Sequence, residues 1–355
     1  MVKVSQRKAH LEFLRFLAIL LVIFNHTGEA GYLYFTLKQE SMLYPLYFLL
    51  SVLCKTAVPL FWMVSGALLL EKDEDIKYLF KHRILRIAAV LTVFSFLYYL
   101  YSAKGNPGFS LSIIWFLRSL YSSDMAPAFW FLYAYLGMLL LLPLLRRLVR
   151  AMSDREFMYI FSLVLVVRGL VPVLEYAVFH GEITLNPSLI ANFFSYDVIF
   201  FISGYYLENR IEGTSLKKRS VLILCVFALA AMVLMMGATQ LRLNDGGLMT
   251  DAQGEMFYPG LLLLPGAAVF CCARLAFSLR ENGKAAKASR LLGSVSFGVM
   301  LTEHLVRCET AFIYELFAAF LPPFIACILW VALIYLICGV FVYLIRKIPF
   351  VRKYI

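Results

Sequence analysis

Long apolar runs follow one another along most of the chain, and short polar stretches separate them. A helix needs about 20 mainly apolar residues to cross the roughly 30 Å hydrocarbon core of a membrane. Runs of about this kind lie at residues 12–30, 43–70, 84–101, 128–145, 157–178, 193–207, 221–239, 257–277, 291–318 and 324–345. The pattern predicts an all-α, polytopic membrane helix bundle of about ten transmembrane helices.

One of the polar stretches has a helical pattern of its own. Between the third and fourth runs, residues 102–127 include the sequence SLSIIWFLRSLY. Its apolar residues Ile113, Phe116, Leu117 and Leu120 fall on one face of a helix. We therefore expect a short amphipathic helix here that lies flat in the membrane interface.

Composition supports an integral membrane protein. The chain is 62% hydrophobic and 15% charged, whereas about a quarter of the residues of a soluble domain are charged. The net charge of +11 does not indicate a nucleic-acid partner, because the basic residues lie in short loops between the apolar runs. Of the 33 Lys and Arg residues, about 25 fall on the side of the two termini. This asymmetry predicts that both termini are cytoplasmic.

The ends of the chain and its cysteines suggest no additional module. The basic N-terminus and first apolar run are not followed by a small-residue cleavage site, so we interpret the run as an uncleaved span. The loops are short, and residues 1–355 are expected to form a single transmembrane domain with no appended soluble domain. The seven cysteines lie in apolar stretches without CxxC spacing. We expect them to be small buried hydrophobes, and we expect no metal site.

The first apolar run, LEFLRFLAILLVIFNHTG, carries two ionisable residues, Arg15 and His26. Eleven positions in a helix amount to three turns plus about 20°, and to a rise of about 16 Å. The two side chains would thus share one face at different depths. Arg15 can also reach the headgroups by snorkelling, with His26 at the far interface, and the pattern alone does not decide between these interpretations.

Other apolar runs also contain ionisable residues, which are functional candidates by default because hydrocarbon penalises them. Arg168 and Glu175 lie two turns apart and can reach one polar pocket, whereas no partner is predicted for Lys55 and Asp197. The late run holds Glu303 and His304 side by side. The motifs GxSxG, Walker A and HExxH are absent from the sequence, which disfavours the soluble enzyme classes that use them.

Several motifs that are present in this sequence resemble those of the acyltransferase 3 family of integral-membrane acyltransferases. Arg15, ten intervening residues and His26 are similar to its R-x10-H signature, and Glu12 stands where members usually have an acid. Met300 replaces a usual Tyr, and the basic loop is looser than the paired arginines of the family. Further resemblance lies in VPLFWMVSG (58–66), FKHRILRI (80–87), FWFLYAYLGMLLLLPLL (129–145) and SFGVMLTEHL (296–305), which places His304 at the family's late His position.

The resemblance implies an O-acyltransferase of a bacterial inner membrane. Members move an acyl group, usually acetyl, from cytoplasmic acetyl-CoA to a hydroxyl of a cell-surface or lipid-linked glycan. It implies that Arg15 meets the acidic donor. It also implies that His26 acts as a general base or as an acyl-accepting nucleophile, because imidazole titrates near neutral pH. The expected partners are acyl-CoA, the glycan acceptor and membrane lipids.

Further roles follow for the other family positions. Arg83 and Arg86, three residues apart, share a face and are expected to bind the donor's phosphates, although topology alone also explains their charge. The candidates for holding the acceptor or supporting His26 are Glu303, His304, Lys55 and Glu12. Polar pairs of this kind also serve as packing contacts between membrane helices.

A different class remains possible from the sequence, namely a transporter or flippase of a lipid-linked glycan. Ten spans with buried charges suit that class equally well. Transporters often have matching Pro- or Gly-interrupted spans in two related halves. Four prolines of the apolar runs do not fall at matching positions of two halves, namely Pro59, Pro143, Pro259 and Pro265. A structural or sensory protein is a third possibility, and the Arg15–His26 spacing disfavours it.

The charge asymmetry generates a testable topology. Reporter fusions after Arg150 and after Gly247 are expected to give opposite signals, because these positions flank an odd number of predicted spans. The Arg150 fusion should report a cytoplasmic position and the Gly247 fusion an external one. Equal signals from the two fusions would contradict the alternation.

Overall fold

A computed structural model describes residues 8–104, 106, 108–191, 195–211, 216–246, 258–278 and 283–355. Within these ranges the regular structure is helical, which confirms the all-α prediction. Short helices lie at Tyr34–Leu37, Pro187–Ala191 and Pro349–Arg352. The main helices are α1 Ala9–Asn25, α2 Tyr44–Leu69, α3 Ile76–Tyr101, α4 Ile113–Ser122, α5 Trp130–Ala151, α6 Asp154–Phe179, α7 Tyr196–Tyr205, α8 Lys218–Asn244, α9 Pro259–Ser278, α10 Lys284–Glu309, α11 Ala311–Ala318 and α12 Pro323–Ile345.

Seven of the described helices, α2, α3, α5, α6, α8, α9 and α12, are long and apolar enough to cross a membrane. The chain is therefore a multi-pass membrane protein. The three other predicted spans correspond to α1, α7 and α10, of which α1 and α7 are short and α10 is comparatively polar. Their neighbours shield α1 and α10 from the surface, so these two helices do not need a uniformly apolar exterior. The number of membrane crossings stays a prediction.

The first helix ends earlier than expected. The apolar run predicts a span over 12–30, but α1 ends at Asn25, and His26 forms its C-cap. The reason lies in the following residues. Thr27 Oγ1 donates to the carbonyl oxygen of Phe24 at 2.6 Å, and Gly28 has a φ of 55°, in the left-handed region that glycine tolerates. His26 is consequently fixed in a turn at the end of the helix.

Helix α1 is at the centre of the bundle. It contacts α2, α9, α10 and α12, and its residues Leu14, Ala18 and Ile23 are completely buried. The contact with α10 is especially close, because a Cβ at Gly293 would overlap the main chain of Glu12. This close approach holds the two helices that carry the predicted site residues side by side.

Helices α2 and α7 also meet backbone to backbone. A Cβ at Gly66 would overlap the carbonyl oxygen of Phe201, and a Cβ at Gly204 would overlap that of Met63. Small residues at such crossings let two membrane helices pack closely. The absence of a side chain at both glycines is therefore required by the packing.

Ion pairs join loops that the topology places on the same side. Glu74 pairs with Arg146 at one end of the bundle, and Lys104 pairs with Glu309 at the other. The first and last described residues, Lys8 and Ile355, line one cavity. Both ends of the described chain thus lie at the same end of the bundle, which we call the terminal end.

Two smaller predictions have mixed outcomes. The amphipathic helix is confirmed as α4, with Phe116 buried but Ile113 and Leu117 exposed. Its orientation in the membrane stays a prediction. The expectation that all cysteines are buried is wrong for Cys272 and Cys308, which are exposed on the surface of the bundle. Thiols are small enough to be tolerated against lipid, so an apolar sequence context does not fix their burial.

The α2–α7 crossing yields a stability prediction. Gly204→Ala should lower the stability of the detergent-solubilised protein by about 1–3 kcal/mol, because overpacking forces the backbones apart. Gly237→Ala is the matched control, since a Cβ at Gly237 in α8 meets nothing within 4 Å. Thermal unfolding should show a lower midpoint for Gly204→Ala alone. Equal midpoints for the two variants would contradict the tight crossing.

Candidate active site

His26 forms a hydrogen bond with a buried carboxylate. Its Nδ1 lies 2.8 Å from Oε1 of Glu303 on α10, and the Glu303 side chain is 0% exposed. With the carboxylate as acceptor, the contact selects the tautomer in which Nδ1 donates and Nε2 is left with its lone pair. Nε2 makes no hydrogen bond to any residue that the structure describes. This arrangement orients the ring and can stabilise a positive imidazolium.

Glu303 and His304, which are adjacent in the sequence, contact different residues. Glu303 reaches His26, whereas His304 points to a different neighbour, with Arg307 Nη2 at 2.8 Å from its Nδ1. Arg307 Nε also lies 3.7 Å from the second oxygen of Glu303. The buried carboxylate is therefore flanked by His26 and by a guanidinium. The sequence analysis did not select Arg307, although its position one turn after Glu303 was the available signal.

His26 lines a cavity of about 290 Å³, which we call the histidine cavity. Lys55, which lies in the turn that interrupts α2, lines the same cavity. Its Nζ is 4.6 Å from the centre of the Tyr32 ring. The structure therefore brings Lys55 and His26 to one site. The rest of the wall is mainly apolar, namely Val22, Asn25, Cys54, Ala57, Val58, Phe61, Ala128, Trp130, Phe131 and Met300.

A second cavity, of about 480 Å³, opens at the terminal end of the bundle. We call it the basic cavity, because six cationic side chains line it against one acidic side chain, that of Glu12. Arg15 Nη1 donates to Glu12 Oε1 at 3.0 Å, which fixes the guanidinium at the wall. The predicted residues Arg15, Arg83, Arg86 and Glu12 are thus together at this cavity. The six cations are Lys8, Arg15, Lys72, Arg83, Arg86 and Arg346.

Arg83 is held by Glu74, an acid that the sequence analysis did not consider. Arg83 lies in a π-helical turn within α3, and its Nε and Nη2 donate to Glu74 at 2.8 and 2.5 Å. Arg146 Nη2 donates to the same carboxylate at 2.9 Å. Burial alone would raise the pKa of Glu74, but the hydrogen bonds from Arg83 and Arg146 outweigh it and lower the pKa to about 2.

Two further cations of the basic cavity, Arg86 and Arg346, are held by main-chain oxygens. Arg86 Nε donates to the carbonyl oxygen of Tyr354 at 2.9 Å, and Arg346 Nη1 donates to that of Ser294 at 2.9 Å. Arg346 and Lys72 were not among the predicted site residues. Burial, together with Arg83 and Arg146, lowers the pKa of Lys72 although Glu74 opposes this shift. Cations crowded in this way favour an anionic ligand.

Three other ionisable residues of the apolar runs line neither cavity. Arg168 lies over the ring of Tyr196, with 4.8 Å between its guanidinium carbon and the ring centre. Glu175 accepts a hydrogen bond from the backbone N–H of Leu185 at 2.6 Å. Asp197 is in the first turn of α7. Because they lie outside the walls of both cavities, the structure gives no support to a catalytic role for these three residues.

The geometry defines a class of protein. A helical bundle contains a histidine that lines one cavity and bonds to a buried glutamate behind it, and a group of cations at a second cavity. Helix α1 carries Arg15 and is capped by His26, so a residue at each cavity lies on one helix, with a rise of about 16 Å between them. An oriented imidazole is suited to proton transfer or nucleophilic catalysis. These are the parts of an enzyme embedded in the membrane.

Comparison with known families identifies that class. A family model described as an acyltransferase domain matches residues 8–347. The chain belongs to the acyltransferase 3 family, as its motifs indicated. It is therefore a membrane acyltransferase. No match was found among curated proteins or among solved structures.

The Glu74 contacts predict a pH-dependent stability. A carboxyl whose folded-state pKa is lowered contributes stability above its ordinary pKa, and this contribution is lost as the pH falls through the folded value. Glu74→Gln should therefore lower the unfolding midpoint at pH 7, and its difference from the parent protein should shrink as the pH falls from 4.5 towards about 2.

Asp73→Asn is the control for this measurement. The Asp73 side chain is 96% exposed, and its contact with Arg150 is 3.6 Å long, so its removal should change stability little. Thermal unfolding of all three proteins in detergent between pH 3 and 7 tests the prediction. A constant difference between Glu74→Gln and the parent across that range would contradict it.

Proposed function

We propose that the protein transfers an acyl group, in the form of acetyl, from acyl-CoA at the terminal end of the bundle to a hydroxyl of a glycan at the opposite side. The acceptor is a cell-surface or lipid-linked glycan of a bacterial envelope. The single observation that carries the proposal is the division of the site into a basic cavity and a histidine cavity along one helix.

The basic cavity supports a coenzyme A donor. Coenzyme A is a polyanion with phosphate groups, and guanidinium groups bind phosphate by paired, charge-assisted hydrogen bonds. Arg15, Arg83 and Arg86 all line this cavity. Glu74 and the carbonyl oxygen of Tyr354 hold two of these guanidiniums in place. A preorganised cluster loses less conformational entropy when the donor binds.

The histidine cavity supports the transfer step. The acceptor hydroxyl oxygen attacks the thioester carbonyl carbon, and its proton passes to Nε2 of His26. The carbon–sulfur bond of the resulting tetrahedral intermediate then breaks, and the coenzyme A sulfur leaves with a proton from His26. Glu303 acts as a positioning residue, because it holds the ring by Nδ1 and stabilises the charged imidazolium.

Lys55 supplies the remaining electrostatic element. Negative charge develops on the carbonyl oxygen during attack, and a preorganised positive group lowers the energy of that state. Lys55 lines the cavity that holds His26. Its contact with the ring of Tyr32 limits the orientations of the ammonium group. The family match supports an acyltransferase and gives no support to the transporter alternative.

The donor site is tested by two arginine variants. Arg83→Ala and Arg86→Ala should each weaken acetyl-CoA binding by about 1.5–3 kcal/mol, because each loses a charge-assisted contact with phosphate. Arg147→Ala is the matched control, since Arg147 is exposed on α5 and lines neither cavity. Calorimetry on the purified protein measures the affinities. If all three variants bind like the parent, the arginines are topology signals only.

The catalytic pair is tested by His26→Ala and Glu303→Gln. His26→Ala should lower the acyl-transfer rate by roughly 10²- to 10⁴-fold, because the proton acceptor is lost. Glu303→Gln should also lower the rate, since an amide can donate as well as accept and no longer fixes the tautomer. Donor affinity should be unchanged in both variants.

Glu315→Gln, at an exposed carboxylate on α11, serves as the control. The measurement is the release of coenzyme A thiol from acetyl-CoA, with mass spectrometry of the protein to detect any acyl-histidine. A His26→Ala protein that folds, binds acetyl-CoA and turns over at the parent rate would refute the mechanism. An acyl group trapped on His26 would replace the base role with a nucleophilic one.

A further inference from the structure

The basic cavity and the histidine cavity share part of their walls. Phe61 on α2, Phe131 on α5 and Met300 on α10 line both cavities. The rings of Phe61 and Phe131 are 5.8 Å apart at 50°, and Met300 is 5% exposed. We call these three side chains the partition. Each has one side towards the cations and another towards His26.

The partition is entirely apolar. It offers no hydrogen-bonding group to a hydrated ion, and apolar constrictions of this kind resist the passage of water and ions. A thioester with a short alkyl chain carries no charge and does not meet this obstacle. The partition therefore suits a passage that admits an acyl group and still keeps the two ends of the bundle separate.

Met300 lies closest in sequence to the catalytic pair. It precedes Glu303 by three residues on α10, so both side chains fall on one helix face about one turn apart. Among the partition residues it is also the flexible one, because methionine has three rotatable bonds whereas the aromatic rings are rigid plates. Its side chain consequently occupies the boundary of the space next to the His26–Glu303 pair.

We propose that Met300 is the specificity-determining residue for the length of the acyl group. This inference rests on the proposed acyl-CoA function. When the thioester carbonyl is at His26, the pantetheine arm extends back between the partition side chains to the basic cavity. The alkyl part beyond the carbonyl then lies in the histidine cavity, against Met300. The volume that Met300 leaves decides how many methylenes the enzyme accepts.

The test uses two substitutions with opposite effects. Met300→Ala enlarges the space next to His26. It should raise the rate with butyryl-CoA relative to the rate with acetyl-CoA by at least about tenfold. This is the lower end of the effect that one methylene has on the rate in an apolar pocket. Met300→Phe replaces a flexible chain with a rigid ring and should shift the ratio the other way. Both variants should still bind unacylated coenzyme A, because Arg83 and Arg86, which are expected to bind its phosphate groups, are retained.

Met138→Ala is the matched control. Met138 on α5 is 4% exposed, which is close to the value for Met300, and it lines neither cavity. Its loss should lower stability without changing the butyryl-to-acetyl ratio. The readout is the initial rate of coenzyme A thiol release from acetyl-, propionyl- and butyryl-CoA in lipid nanodiscs, with water and with methyl glucoside as acyl acceptors.

The outcomes separate the inference from the function on which it rests. Opposite shifts in the two Met300 variants, with no shift in Met138→Ala, support the assignment. An active parent enzyme whose chain-length ratio is unchanged in Met300→Ala or, should that variant not fold, in Met300→Phe overturns the assignment and leaves the proposed function intact. A parent protein that neither binds coenzyme A nor releases its thiol overturns both.

Discussion

A fully buried carboxylate at the centre of the bundle sets the conditions for the rest of the site. Burying an unpaired charge costs several kcal/mol, so Glu303 needs partners. Its partners are His26 at 2.8 Å and Arg307 at 3.7 Å. The hydrogen bond between Glu303 Oε1 and His26 therefore ties the end of α1 to α10 and fixes the imidazole ring at the histidine cavity. The close contact of Gly293 with Glu12 maintains the same pairing of helices at the terminal end.

This pairing explains why the helices with the chemistry do not resemble ordinary membrane spans. Helices α1 and α10 carry Arg15, Glu303 and Arg307, which hydrocarbon would penalise at the lipid surface. Helices α3, α5, α6, α8 and α12 carry many of the exposed apolar side chains at the surface of the bundle. Polar groups can then line internal cavities without contact with lipid. The separation of roles between central and peripheral helices allows a membrane protein to hold a cavity lined by cations.

Much of the fold was predictable from the sequence, because apolar runs report directly on burial in lipid. The runs at 43–70, 128–145 and 324–345 coincide closely with α2, α5 and α12. The early end of α1 was not predicted, since an apolar run does not reveal that Thr27 and Gly28 stop the helix. Arg15 and His26 were predicted as site residues from their spacing along a helix and from the family motifs. The structure places Arg15 at the basic cavity and His26 at the histidine cavity.

The partners of those residues could not be predicted, because they come from distant parts of the chain. His26 and Glu303 are 277 positions apart, and no local pattern indicates that they meet. For the same reason the sequence analysis treated Glu303 and His304 alike, although only Glu303 bonds to His26. Glu74 appeared to be an ordinary loop acid. Its hydrogen bonds to Arg83 depend on the turn that follows α2, and Arg146 from α5 binds the same carboxylate.

The most direct test of this account is a cryo-electron microscopy structure with a non-hydrolysable acetyl-CoA analogue. The account predicts the phosphate groups in the basic cavity against Arg15, Arg83 and Arg86. It also predicts that the pantetheine arm passes the partition and that the thioester mimic lies beside His26 in the histidine cavity. An analogue bound away from the basic cavity, or one whose acyl end stays on the terminal side of Phe61, Phe131 and Met300, would contradict the account.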